Sequence, residues 1–137
     1  MRLPIISLLL FFIVSLFNLS SCTYTPEALD SLDKTLKAYE RAIRWRNFEF
    51  ARSLQVNPKE VSDFTRQRLK NIKVTSYKTI SKTIAQDYSK TELIVDIRYY
   101  YDNSVVERVL THRQTWIYDE QRNRWQLDGE FPIFKFH

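Results

Sequence analysis

Apolar residues recur along this chain with two different periods, and the change of period divides it into a helical part and a stranded part. From Pro26 onward, Leu29, Leu32, Leu36, Tyr39 and Ile43 alternate spacings of three and four, which places them on one stripe of a helix. Asp30, Asp33, Lys34, Lys37, Glu40, Arg41 and Arg44 fall on the opposite side. Thr25 as cap, proline at the first helical position and Glu27 in the first turn all favour a start there. The pattern breaks at Trp45-Arg46-Asn47, and Asn47 is placed to cap a short second helix burying Phe48, Ala51 and Leu54. Asn57-Pro58-Lys59-Glu60 reads as a third start, with Glu60 completing a capping box. Its apolar stripe is Val61, Phe64, Leu69 (or the aliphatic stem of Arg68) and Ile72.

After Asn71 the texture turns β-branched and aromatic with period two. Residues 73–85 predict one long strand, 92–101 a second, 105–118 a third, and 125–128 the start of a fourth. Asp102-Asn103 predicts a tight turn. Pairing Tyr101 with Ser104 across it sets Ile97 opposite Arg108, Val95 opposite Leu110 and Leu93 opposite His112. Leu93, Val95, Ile97 and Tyr99 then share an inner face with Val106, Leu110 and Trp116, joined by Trp125 and Leu127. Asp96, Arg98, Tyr100, Glu107, Thr111 and Arg113 take the outer face, with Arg98 across from Glu107. Helices followed by a meander with one apolar face imply α+β: amino-terminal helices packed on a curved antiparallel sheet.

Ahead of the helical part stands a segment of another kind. Met1-Arg2 carries one positive charge, and residues 3–19 carry none. The run is short for a bilayer span, which takes roughly 20 apolar residues. A basic tip, an apolar core and small residues before a boundary describe a secretory signal peptide. Leu19-Ser20-Ser21-Cys22 resembles the lipobox of bacterial lipoproteins, in which cleavage falls just before an acylated cysteine. That resemblance implies cleavage between Ser21 and Cys22, acyl chains on Cys22 and a membrane anchor. Thr23 in place of aspartate implies the outer membrane, facing the periplasm. The chemistry agrees: Cys22 is the only cysteine, so no intrachain disulfide competes for its thiol. Several acyl chains exceed what stable anchoring requires. Residues 1–21 are therefore read as the leader, 22–26 as a lipidated tether and 27–137 as the domain.

Composition narrows the chemistry. The net charge of +5 becomes about +4 once Arg2 leaves with the leader, mildly basic for an envelope domain. Export and the lack of a recognition motif argue against nucleic acid and leave anionic headgroups or an acidic protein as counter-charge. Arg41, Arg44, Arg46 and Arg52 make either a basic patch or a solvated helix face. A single glycine, Gly129, excludes glycine-rich phosphate loops and dinucleotide fingerprints. One cysteine and two histidines offer no familiar metal-ligand spacing, and no cofactor is expected.

The order of elements resembles the nuclear transport factor 2-like superfamily, typified also by ketosteroid isomerase. The likeness is carried by residues 38–54 (AYERAIRWRNFEFARSL), 71–81 (NIKVTSYKTIS), 107–129 (ERVLTHRQTWIYDEQRNRWQLDG) and 131–134 (FPIF), and is nearest to small bacterial lipoproteins with such a domain. It implies a cone in which a long helix packs into a bent sheet. Enzymes of that fold set an acid/base carboxylate or histidine deep in the cone. Here the inner face offers His112 with Gln114, Arg108, Tyr99 and Tyr101, while Asp96 and Glu107 face outward, so no catalytic set is assigned. Three functions follow in order. The first is a partner-binding or assembly domain, pairing with an envelope protein or a second copy through Arg98, Tyr100, Thr111 and Arg113. The second is a binder of a small apolar ligand in a hollow cone lined by Tyr99, His112, Gln114 and Trp116. The third is an isomerase- or dehydratase-type enzyme.

Overall fold

A computed structural model describes residues 26–136; the apolar leader, Ser21, Cys22, Thr25 and His137 lie outside the described residues. Three helices come first, α1 (Pro26–Arg44), α2 (Phe48–Ser53) and α3 (Asp63–Leu69). Four strands follow, β1 (Ile72–Ile84), β2 (Lys90–Tyr101), β3 (Arg108–Asp119) and β4 (Arg124–Leu127). The strands form one open antiparallel sheet in sequence order, so the fold is α+β. Among the described residues no helix is long and apolar enough to cross a membrane.

Helix α1 covers the inner face of the sheet. Leu32, Tyr39 and Ile43 are fully buried as the periodicity requires, but Ala28 and Ala42 complete the stripe, while Leu29 and Leu36 stay half-buried at its border. Small residues let the helix axis approach the sheet closely, which moves the contact line toward the alanines. Tyr39 meets Trp116 edge-on with centroids 5.2 Å apart. Trp125 donates from its indole nitrogen to the Ala28 carbonyl at 2.9 Å, tying the last strand to the first turn of α1.

The chain leaves α1 through Arg46 in the left-handed region, φ 60°, and Asn47 caps α2 by accepting from the Phe50 amide at 3.3 Å. Phe48 and Ala51 are buried there, as the sequence implies. Trp45 is not: it stands 79% exposed at the turn. The third helix starts later than Asn57-Pro58 suggests. Ser62 is its cap, accepting from the Thr65 amide at 3.2 Å, so Glu60 completes no capping box. Starting at Asp63 puts Phe64 five residues before the buried Leu69, about 140° away around the helix. Phe64 is accordingly 68% exposed rather than in the core.

The sheet faces fall as period two demands, but the β2–β3 register is slipped by two residues from the expected one. Ile97 pairs with Leu110, Val95 with His112 and Leu93 with Gln114. The turn does close, with the Ser104 amide donating to the Tyr101 carbonyl at 2.9 Å. Residues 104–107 then run outside both strands, and the Val106 amide donates to the Ser104 hydroxyl instead of entering a ladder. An even slip keeps every side chain on its face. Val106 leaves the inner face and is exposed, and Arg98 lies opposite Val109 while still reaching Glu107 diagonally at 3.4 Å. Strand β1 carries two irregularities, at Val74/Ser76 and Thr79/Ser81. Each adds a residue that bends the strand over α1.

After β4 the chain runs without regular structure across one end of the sheet. Phe134 is buried there, 5.0 Å from Tyr99 and 5.6 Å from Phe48 between centroids.

Candidate functional site

Two regions carry the residues singled out from the sequence, and the sheet separates them. On the inner face, Tyr99, Gln114 and Trp116 are buried core residues and His112 is half-buried. Their polar atoms form a chain. The Trp116 indole donates to Gln114 Oε1 at 3.0 Å. Gln114 Nε2 donates both to the Tyr77 hydroxyl at 3.0 Å and to His112 Nδ1 at 3.2 Å. His112 Nε2 lies 3.0 Å from the Glu130 carbonyl, which can only accept, so the ring proton sits on Nε2 and Nδ1 is the acceptor. Burial lowers the His112 pKa, with the Glu130 carbonyl pulling the other way. Burial likewise pushes the Tyr77 phenol up to about 12. The chain is thus held neutral, and His112 has no free lone pair to serve as a base. Tyr99 is held apart from it, donating to the Lys135 carbonyl at 3.3 Å and accepting from the Lys135 amide at 2.9 Å.

A different apolar hollow, lined by none of Tyr99, His112, Gln114 and Trp116, lies at the carboxyl-terminal end. A hollow of about 280 Å³ opens between the segment joining α2 to α3 and the carboxyl-terminal segment, walled by Val61, Leu69, Phe131, Ile133, Phe134 and Phe136. Arg52 and Lys59 stand at its polar edge. Lys59 pairs with Glu130 at 2.8 Å and holds the Glu130 carboxyl below its usual pKa, first by hydrogen bonding and then by charge. Arg52 donates to the Lys59 carbonyl and sits 3.9 Å from Glu49. Both cations are therefore already committed. The sequence signal for this hollow is the apolar run Phe131-Pro132-Ile133-Phe134 lying beyond the last strand, with no sheet partner to bury it.

Most side chains on the outer face are exposed or half-buried, buried Gln126 at the β4 edge excepted. Arg98, Thr111 and Arg113 are exposed and Tyr100 is half-buried, all on one side of the sheet as the alternation requires. Thr111 donates to Asp96 at 2.7 Å, and Arg98 reaches Glu107, which also accepts from Thr75 at 2.7 Å. Register puts Lys73, Lys78, Lys90, Arg98, Arg113 and Arg124 on this face against Glu92, Asp96 and Asp119. Of these cations, Lys78, Arg113 and Arg124 meet no carboxylate within bridging distance among the described residues. Glu107 adds a fourth acid through Arg98, and the surface stays net-basic, with Ile94, Tyr100 and Val109 set among the charges.

Among the described residues no three His, Cys, Asp or Glu side chains gather as metal ligands. No protein-family model matches the chain, and no curated protein or solved structure matches it.

Proposed function

We propose that this chain is an exported lipoprotein, anchored in the bacterial envelope through acyl groups on Cys22, whose domain binds an acidic protein through the outer face of its sheet. In this reading the domain is a nuclear transport factor 2-like cone with a filled interior. The observation that carries it is the largely exposed, net-basic outer face around Arg98, Tyr100, Thr111 and Arg113. An antiparallel sheet tolerates a solvated face. What makes this one a docking surface is the excess of cations, three without a carboxylate partner, interleaved with aliphatic and aromatic side chains. Charge of one sign over such an area steers and orients a complementary partner. The inner polar chain supports binding over catalysis, since both ring nitrogens of His112 are engaged and Asp96 and Glu107 lie on the other side of the sheet.

Two experiments test the two halves. Expressed with its own leader, the chain is expected to gain the mass of acyl groups and to sediment with membranes, and Cys22→Ala to lose both. An unmodified, soluble wild type would remove the anchor. Arg98→Glu and Tyr100→Ala are expected to weaken partner association, while shifting unfolding free energy by no more than about 0.5–1 kcal/mol, as surface substitutions do. Unchanged association in both would remove the docking face.

A second reading, a binder of a small apolar ligand, has its own support in the 280 Å³ hollow beside Phe134. Val61→Trp would fill that hollow and abolish uptake of an apolar fluorophore, whereas the sheet-face variants would leave uptake unchanged.

A further inference from the structure

At the turn end of the sheet two arginines face one cavity with nothing to neutralise them. Arg68, in the last turn of α3, lays its guanidinium 3.9 Å from the Phe136 ring centroid and 5.2 Å from that of Phe64. Arg108 opens β3 opposite Tyr99. With Tyr101, Asn71, Asn103 and Ser104 they line a cavity of about 250 Å³. Some surface arginines find acceptors, Arg46 donating to the Lys70 carbonyl, Arg66 to Asp63 and Glu49, and Arg122 to Asp119, while Arg41 and Arg113 stand free in solvent. Among the described residues the side chains of Arg68 and Arg108 have neither a hydrogen bond nor an ion pair.

Tyr101 supplies the second, independent observation. The residue is only 8% exposed, and its buried hydroxyl has no hydrogen-bond partner. A buried hydroxyl without a partner is destabilising; those of Tyr39 and Thr91 lack one too, but of the three residues only Tyr101 lines this cavity. Burial pushes this phenol up to about 12, while Arg68 and Arg108 both pull it down, so both guanidiniums lie within electrostatic reach of the one hydroxyl. At neutral pH it therefore keeps its proton and can donate.

We propose that this cavity binds a doubly charged oxyanion of the phosphate-monoester class, with Arg68 and Arg108 on its oxygens and the Tyr101 hydroxyl donating to a third. The planar forks of arginine match phosphate and carboxylate oxygens. Charge decides between those two. A phosphate monoester carries roughly −1.5 to −2 at pH 7 and balances two guanidiniums, whereas a single carboxylate leaves one cation uncompensated. The amides of Asn71 and Asn103 at the cavity wall supply further donors. The site is distinct from the outer sheet face, where Arg98 and Arg113 stand.

The phosphate could belong to a small solute or to a lipid headgroup, and the test separates them. The full chain in non-ionic detergent is titrated with inorganic phosphate, against sodium chloride at matched ionic strength, and thermal unfolding and calorimetry are followed. A saturable rise in Tm specific to phosphate is expected. Its affinity should fall about tenfold or more in both Arg68→Gln and Arg108→Gln, and by less in Tyr101→Phe, which keeps the ring. If Arg68→Gln unfolds through loss of its Phe136 contact, Arg108→Gln and Tyr101→Phe carry the test. A second titration uses dihexanoyl phosphatidic acid below its micelle concentration. Tighter binding than inorganic phosphate supports the site with a headgroup as the source; equal binding supports it with a free phosphate. A phosphate response equal to chloride, binding indifferent to both arginine variants, or binding of malonate in preference to phosphate would each overturn the proposal. Arg98→Glu should leave phosphate binding intact, so failure at the sheet face and failure here are read separately.

Discussion

Gln114 is the hub of the inner polar chain, because its amide bonds the Trp116 indole, the Tyr77 hydroxyl and His112 Nδ1. Gln114→Leu keeps most of the volume but strands the buried Trp116 indole and the half-buried Tyr77 and His112. It is expected to cost about 1–3 kcal/mol for the first buried group left unsatisfied, and more as the others follow. Urea unfolding of the variant measures it, and a cost near zero would mean that the three partners find other acceptors or donors. His112 adds a pH dependence whose sign follows from its lowered pKa. The unfolded chain binds a proton near pH 6.5, and the folded chain only at lower pH. The unfolded state therefore holds more protons in that window, and stability falls as pH drops below about 6.5. His112→Gln should flatten this component of the stability–pH curve, while retaining the amide's ability to bond Glu130. An unchanged curve would place the effect on other groups. For Trp125, buried and bonded to the Ala28 carbonyl, replacement by alanine is expected to cost about 3–5 kcal/mol. A fully stable Trp125→Ala chain would contradict the core described here.

At the level of elements, what the sequence makes legible is the period, and what it leaves open is phase and length. The helical stripe through Leu32, Tyr39 and Ile43 and the alternation through Leu93, Val95 and Ile97 follow from period alone. A two-residue slip between β2 and β3 leaves that alternation untouched, so no pattern of apolar and polar residues could reveal it. The loop at residues 104–107 is set by how Ser104 and Val106 satisfy their amides, a local choice among turns. The late start of α3 is another such choice. Asn57 and Ser62 are both acceptable caps by type. Ser62→Ala is expected to cost about 1 kcal/mol and Asn57→Ala little, as read by thermal or urea unfolding. The reverse order would return the helix start to Asn57. Arg68, Arg108 and Tyr101 were illegible as a group for a plainer reason. They come from three elements, and only the slipped register and the turn of α3 bring them to one cavity.

For the whole molecule, the proposed function rests on the division between a buried inner face and a more exposed outer one. Tyr99, Gln114 and Trp116, expected to line a hollow cone, are buried in the core, and the apolar hollow lies at the carboxyl-terminal segment instead. The outer-face set Arg98, Tyr100, Thr111 and Arg113 was legible, because alternation fixes the face whatever the register. Its net charge also needed only the sequence, but the partner of each cation did not follow from it. The most direct measurement is site-specific photo-cross-linking of the membrane-bound chain from Thr111, with exposed Gln86 in the β1–β2 turn as control. A discrete adduct with an acidic protein is predicted from position 111, none from 86, and loss of the adduct when Arg98 and Arg113 are both changed to glutamate. No adduct from Thr111, an adduct indifferent to that charge reversal, or an adduct made only of two copies of this chain would contradict the proposed docking face.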